Sequence, residues 1–169
     1  PYQEDLVNRA RQSFRNGHQG VAVVASTGAG KTPVLCAIVA GAISNGKRVV
    51  VLAHRMRLIK QISATLDRFG VCYQQAGRSR RNPYLCTVGM VESVRRRMDK
   101  MEAPDIIVVD ELHHACSSQY LSIFQHWPKA KRIGLTATPS RTDGKGLREV
   151  CSDMVIGPSM AWLIENGYL

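Results

Sequence analysis

Five short runs of apolar, mostly β-branched residues recur along the chain, at 21–25, 48–53, 85–88, 106–109 and 132–136. Between each run and the next lies enough chain for a helix, and within a run apolar and polar residues hardly alternate. A strand with one wet face alternates; a strand covered on both faces does not. The pattern therefore predicts an α/β domain, an open parallel sheet with helices on both faces and its ligand at the strands' C-terminal ends. Helices are expected at 4–15, 33–44, 55–69, 91–100, 118–126 and 159–166. Gly17, Gly46 and Gly167 stand where three of them would stop, and Ser159 would cap the last. A chain of 169 residues makes one such domain, 1–169.

Directly after the first run comes Ala-Ser-Thr-Gly-Ala-Gly-Lys-Thr, residues 25–32. This is the phosphate-binding pattern G-x-x-x-x-G-K-[ST] with Ala25 in the leading position. Backbone N–H groups of such a loop, with the helix N-terminus behind it, favour anionic oxygens. Thr27, Gly28, Ala29 and Gly30 would form the cradle, Lys31 would reach the β/γ-phosphates, and the Thr32 hydroxyl would bind magnesium (Mg2+). The fourth run ends in Asp110-Glu-Leu-His113, and carboxylates there are what a metal-assisted phosphoryl transfer needs. Asp110 would hold the magnesium and Glu111 would orient and deprotonate the attacking water. ATP and Mg2+ are thus the expected cofactors, with Glu111, Asp110 and Lys31 catalytic.

Lys and Arg number 23 against 13 Asp and Glu, a net charge of +10. That excess suits nucleic acid as a partner, and a solvated basic surface equally. Cys36, Cys72, Cys86, Cys116 and Cys151 show no C-x-x-C pairing, so free thiols in a reducing cytoplasm are expected rather than disulfides or zinc. A zinc site at His113, His114 and Cys116 would lack ligands. No stretch is apolar enough to span a membrane, and the N-terminus is not signal-like. The chain starts at Pro1 without Met, as a piece of a longer protein would. The segments 77–83 and 140–146 are expected to be the mobile ones. His54 would pack at a strand end, Arg95–Arg97 would form a solvated helix face or a nucleic-acid contact, and Trp127 and Trp162 would serve core or interdomain packing.

The order of these segments resembles the first motor domain of superfamily 2 helicases and translocases. Tyr2-Gln3 is similar to their adenine-reading element, 25–32 to motif I, 52–61 to motif Ia, 87–93 to the segment near motif Ib, 110–113 to a DExH motif II and Thr136-Ala-Thr138 to motif III. The stretch 134–147 resembles the branch holding type III restriction subunits and RadD-type DNA helicases. The resemblance covers nearly the whole chain. It implies a RecA-like P-loop NTPase domain that hydrolyses ATP as part of a DNA motor, with a second RecA-like domain elsewhere in a longer chain. It implies further that Gln3 reads adenine, that His113, Thr136 and Thr138 couple nucleotide to strand, and that Arg55, Gln61 and Thr87 touch nucleic acid, more readily DNA. The arginine fingers of the second domain are not within 1–169, so this domain alone should turn over slowly. Leu112 departs from the Ala usual in that branch. Gln74–Arg81 matches Q-x-x-G-R-x-x-R, the second domain's finger motif, but it precedes motif II and is read as a basic loop.

An RNA-dependent ATPase fits the same residues. So does a restriction-system translocase subunit, and a binding module with a vestigial ATP site is a third class. Intact Lys31 and Glu111 speak against the last.

Overall fold

The computed structural model describes residues 2–77, 84–138 and 147–168. Most of the two segments expected to be mobile, and 78–81 of the arginine-rich match, lie outside those residues.

The elements run in the order α1 (Tyr2–Arg15), β1 (Gly20–Val24), α2 (Lys31–Ser44), β2 (Val49–Ala53), α3 (Met56–Arg68), β3 (Tyr73–Gln75) and β4 (Cys86–Met90). Then follow α4 (Val91–Arg95), β5 (Ile106–Asp110), α5 (Ser118–His126), β6 (Lys131–Thr136), β7 (Asp153–Ile156) and α6 (Met160–Glu165). Single 3₁₀ turns occupy Met98–Lys100, Leu112–His114 and Leu147–Glu149. Seven strands form one sheet in the order β3-β4-β2-β5-β6-β1-β7, and every pairing is parallel. The expected RecA-like architecture is what the chain adopts.

Burial explains the unbroken apolar runs. Along β1 and β2 every residue is buried, with successive side chains on opposite faces. Val21, Val23, Val49, Val51, Val108, Ile133 and Leu135 pack under α1, α2, α3 and α6. Ala22, Val50, Leu52, Ile107 and Val109 pack under α4, α5 and the 3₁₀ turns. Cys36, Cys86 and Cys151 are buried free thiols whose pKa values burial pushes up to about 12. Among the described residues no helix is long and apolar enough to cross a membrane.

Two strands, β3 and β7, escape the sequence pattern, and both are edge strands. Their residues are Tyr-Gln-Gln and Asp-Met-Val-Ile, half-exposed or alternating, because an edge strand is neither flanked nor covered on every side. The helix expected over 91–100 is shorter: α4 ends at Arg95, and Arg97 leaves helical geometry (φ −123°) before the 3₁₀ turn. Ser159 caps α6 as expected, its hydroxyl accepting from the Trp162 N–H at 3.2 Å.

Candidate nucleotide site

The strands that carry the candidate catalytic residues are neighbours. β6 lies between β5 and β1, Leu135 stands beside Asp110, and Thr136 beside Val24. The three segments 25–32, 110–113 and 136–138 therefore leave the sheet side by side at its C-terminal edge. The Ala25 N–H donates to the Thr136 carbonyl at 2.9 Å, tying the first to the third.

The loop after β1 turns through Gly28 (φ +85°) and Gly30 (φ +69°), left-handed conformations that a side chain resists. Gly30 is the N-cap of α2 and supplies no side-chain hydrogen bond to the first-turn N–H donors. A 14-residue helix with an uncapped N-terminus facing a strand-end crevice is suited to phosphate oxygens. The Lys31 ammonium donates to the carbonyls of Ala25 and Ser26, both at 3.4 Å, and so lies along the loop. From α1, the Tyr2 hydroxyl donates to the Ala29 carbonyl at 2.6 Å and the Gln3 amide donates to the same oxygen at 3.3 Å. A Cβ on Gly30 would fall on that Gln3 amide nitrogen. Gln3 is therefore held beside the loop 25–32.

Asp110 ends β5 buried, and its Oδ1 accepts from the Glu111 N–H at 3.1 Å. Glu111 is the one non-glycine residue with positive φ among the described residues (φ 55°, ψ 60°). This conformation costs about 1–3 kcal/mol and such strain gathers at functional sites. It turns the chain from β5 into the 3₁₀ turn that carries His113. The Glu111 Oε2 lies 3.3 Å from His113 Nδ1, and the Thr136 Oγ1 lies 3.4 Å from the same nitrogen. Thr136, fully buried, donates its hydroxyl proton to the Thr138 carbonyl at 3.1 Å and accepts from the Thr138 N–H at 3.2 Å. A proton on Nδ1 would let the His113 ring donate to the Thr136 hydroxyl oxygen, with the Glu111 carboxylate beside it. His113, Thr136, Thr138 and Glu111 lie in one connected group of contacts.

Burial raises the Asp110 pKa above the ordinary aspartate value, and the neighbouring Glu111 charge adds to it; Lys31 works the other way. A carboxyl whose pKa is raised on folding weakens the folded state wherever it is ionised in the unfolded chain. Asp110→Asn is therefore expected to raise the melting temperature at pH 7.5 in EDTA without nucleotide. The gain should vanish as pH falls through the ordinary aspartate range, where both states are protonated. Equal melting temperatures at pH 7.5 would show that burial of this charge costs nothing. The same burial makes a nearby cation welcome. Thr32 and Asp110 offer a hydroxyl and a carboxylate, hard oxygen donors of the kind magnesium takes. Among the described residues no group of three or more His, Cys, Asp or Glu side chains could hold a metal ion. A magnesium ion fits that arrangement, since it keeps most of its waters and leans on one or two protein ligands and the phosphates.

The candidates for nucleic-acid contact separate. Arg55 is exposed at the N-cap of α3. Thr87, expected at the polymer, lies in β4 and is 5 % exposed, so little of its side chain is open to solvent. Gln61 turns instead toward the nucleotide loop, its amide donating to the Thr32 hydroxyl at 3.1 Å. Beside Arg55, the His54 ring packs on His114 (centroids 4.1 Å apart), which packs on His113 (4.2 Å). Burial lowers the pKa of His54 and of His114, with Arg55 adding to the effect on His54 and His54 to that on His114. The ends of β2 and β5 thus meet through three imidazoles. Trp127 is core; Trp162 is half-exposed and packs with Tyr168 against Tyr2.

A model of the family described as type III restriction enzyme, res subunit, matches residues 1–141. A 51.5 kDa protein of a Lactococcus phage (isolate 7-9) is 34 % identical over 139 residues, which is 82 % of this chain and 28 % of that protein. Among solved structures, the chain is similar to a nuclease-deletion mutant of the Type ISP restriction-modification enzyme LlaGI, in complex with a DNA substrate mimic. The TM-score is 0.79 at 15 % identity, over 99 % of this chain and 20 % of that one. The Pyrococcus furiosus Hef helicase domain gives a TM-score of 0.74 at 22 % identity, over 92 % of this chain and 37 % of that one. The chain thus spans only 20–37 % of the length of these relatives.

Proposed function

The chain belongs to the type III restriction enzyme res subunit family, and from that premise we propose that it is the ATP-binding motor domain of a DNA helicase or translocase, hydrolysing ATP with magnesium in step with its hold on a strand. The observation that carries this reading is the adjacency of β5, β6 and β1. It sets Lys31 and Thr32, Asp110 and Glu111, and Thr136 along one edge.

Phosphate oxygens accept from the N–H groups at the start of α2, and Lys31 exchanges the Ala25 and Ser26 carbonyls for the β/γ-oxygens. Thr32 and Asp110 hold the magnesium, which when bound neutralises charge on the triphosphate. Glu111 orients the attacking water and takes its proton. His113, donating from Nδ1, carries the state of Glu111 to Thr136 and Thr138. Gln3, anchored beside the loop, reads the adenine edge. Arg55, exposed and basic, binds the sugar-phosphate backbone, a contact that positions a strand without reading its sequence. A second RecA-like domain in the same longer chain completes the pocket with arginine, so the domain alone turns over slowly. DNA is favoured over RNA by the likeness to a restriction enzyme bound to a DNA mimic.

The test is ATP turnover by the full-length protein with single-stranded DNA, duplex DNA and RNA, at one fixed salt concentration because phosphate contacts are salt-dependent. Several-fold stimulation by DNA is expected. Stimulation by RNA alone moves the protein to the RNA-dependent class, and a failure to turn over ATP with any of the three polymers overturns the motor reading.

A further inference from the structure

Gln61 lies on α3, 29 residues after Thr32, and its exposed side chain reaches across to the α2 N-terminus. Motif position makes it a polymer contact; geometry gives its amide another partner. A threonine hydroxyl rotates freely about Cβ–Oγ and has one proton and two lone pairs to distribute. The Gln61 N–H, at 3.1 Å from Oγ1, takes one lone pair. It leaves one lone pair and the proton, and it fixes where both point.

We propose that Gln61 is a positioning residue for magnesium: it orients the Thr32 hydroxyl so that its remaining lone pair is presented to the ion. The inference rests on the nucleotide reading above. It also has a mechanical side. α3 is one rigid helix of 13 residues with Arg55 at its N-cap and Gln61 in its second turn. A change at the Thr32 hydroxyl therefore acts on the same body that carries Arg55. By reciprocity, any effect of magnesium on the hold of a strand at Arg55 is matched by an equal effect of the strand on magnesium binding.

The experiment measures binding of a fluorescent ADP analogue while magnesium chloride is titrated, in wild type, Gln61→Leu and Lys60→Ala. Leucine keeps the bulk of glutamine and removes the donor; Lys60→Ala is a neighbouring exposed change that leaves the Thr32 contact intact. Loss of one neutral hydrogen bond is expected to raise the magnesium concentration for half-saturation about two- to tenfold in Gln61→Leu. ADP affinity in EDTA, and affinity for a thymidine oligonucleotide without nucleotide, should match wild type. Lys60→Ala should leave the magnesium titration unchanged. A wild-type magnesium curve together with weakened oligonucleotide binding in Gln61→Leu would overturn the proposal and return Gln61 to the polymer. Should wild type itself bind no nucleotide with magnesium, the proposed function falls, and this inference with it.

Discussion

Glu111→Gln is expected to lower ATP turnover by about two to four powers of ten while leaving nucleotide affinity near its wild-type value. On the proposed reading the substitution removes the group that would accept the water's proton and little else. A glutamine carbonyl oxygen can still accept from His113 Nδ1, the contact that the Glu111 carboxylate makes at 3.3 Å. The left-handed backbone at φ 55° is as available to glutamine as to glutamate, so the turn into 112–114 stays as it is. Neither Lys31 nor Thr32 loses a partner. Single-turnover hydrolysis and equilibrium binding of ATP, measured on the same preparations, check the claim. A fall in affinity as large as the fall in turnover would mean that Glu111 holds the ligand rather than activating water. Unchanged turnover would remove it from the catalytic set.

The largest effect on stability is expected at Leu112. Its side chain is 1 % exposed and lies on Gly134 of β6, where a Cβ would come within 2.7 Å of Leu112 Cγ and 2.8 Å of Leu112 Cβ. Gly134 is thus the space that admits a leucine into a DExH turn where the resembling branch usually has alanine. Leu112→Ala should cost about 2–5 kcal/mol, the transfer of a buried side chain plus the cavity it leaves. Gly134→Ala should cost about 1–3 kcal/mol by overpacking. In the double variant the new methyl enters the vacated space, so the two costs should fall short of their sum by about 0.5–3 kcal/mol. Urea unfolding of the four proteins measures this directly. Strict additivity would show that the two positions do not share a packing site.

The central strands were legible because covering both faces of a parallel sheet demands unbroken apolar runs, and five such short runs spaced by helix-length segments suit few other architectures. The edge strands offered no such signal: Tyr73–Gln75 is polar, and Asp153–Ile156 is exposed at alternate positions. The phosphate loop and the Asp110–Glu111 pair were legible for a different reason, since their chemistry is compressed into a few consecutive residues. Contacts assembled from distant elements were not. Nothing in the order of residues says that Gln61 meets Thr32, or that His54 packs on His114. Those follow from α3 lying beside α2 and β2 beside β5. Nor does the order of residues say how deeply Thr87, a candidate contact by its motif position, is buried in β4.

The position of β1 has a consequence for synthesis. The strand that delivers the phosphate loop has only β6 and β7 as neighbours, and both are encoded more than a hundred residues later. On the ribosome, β2, β4 and β5 can pair as they emerge, but β1 stays with both edges open until Lys131–Thr136 is made. During that interval the earliest strand is the one most exposed to pairing with the wrong chain, and loop closure over that span is slow. Nucleotide, however abundant, cannot stabilise the nascent chain in that window, because the loop and the Asp110–Glu111 pair have not yet been brought together. The pocket closes late, and a chain stalled before β6 is a candidate for chaperones rather than for ATP.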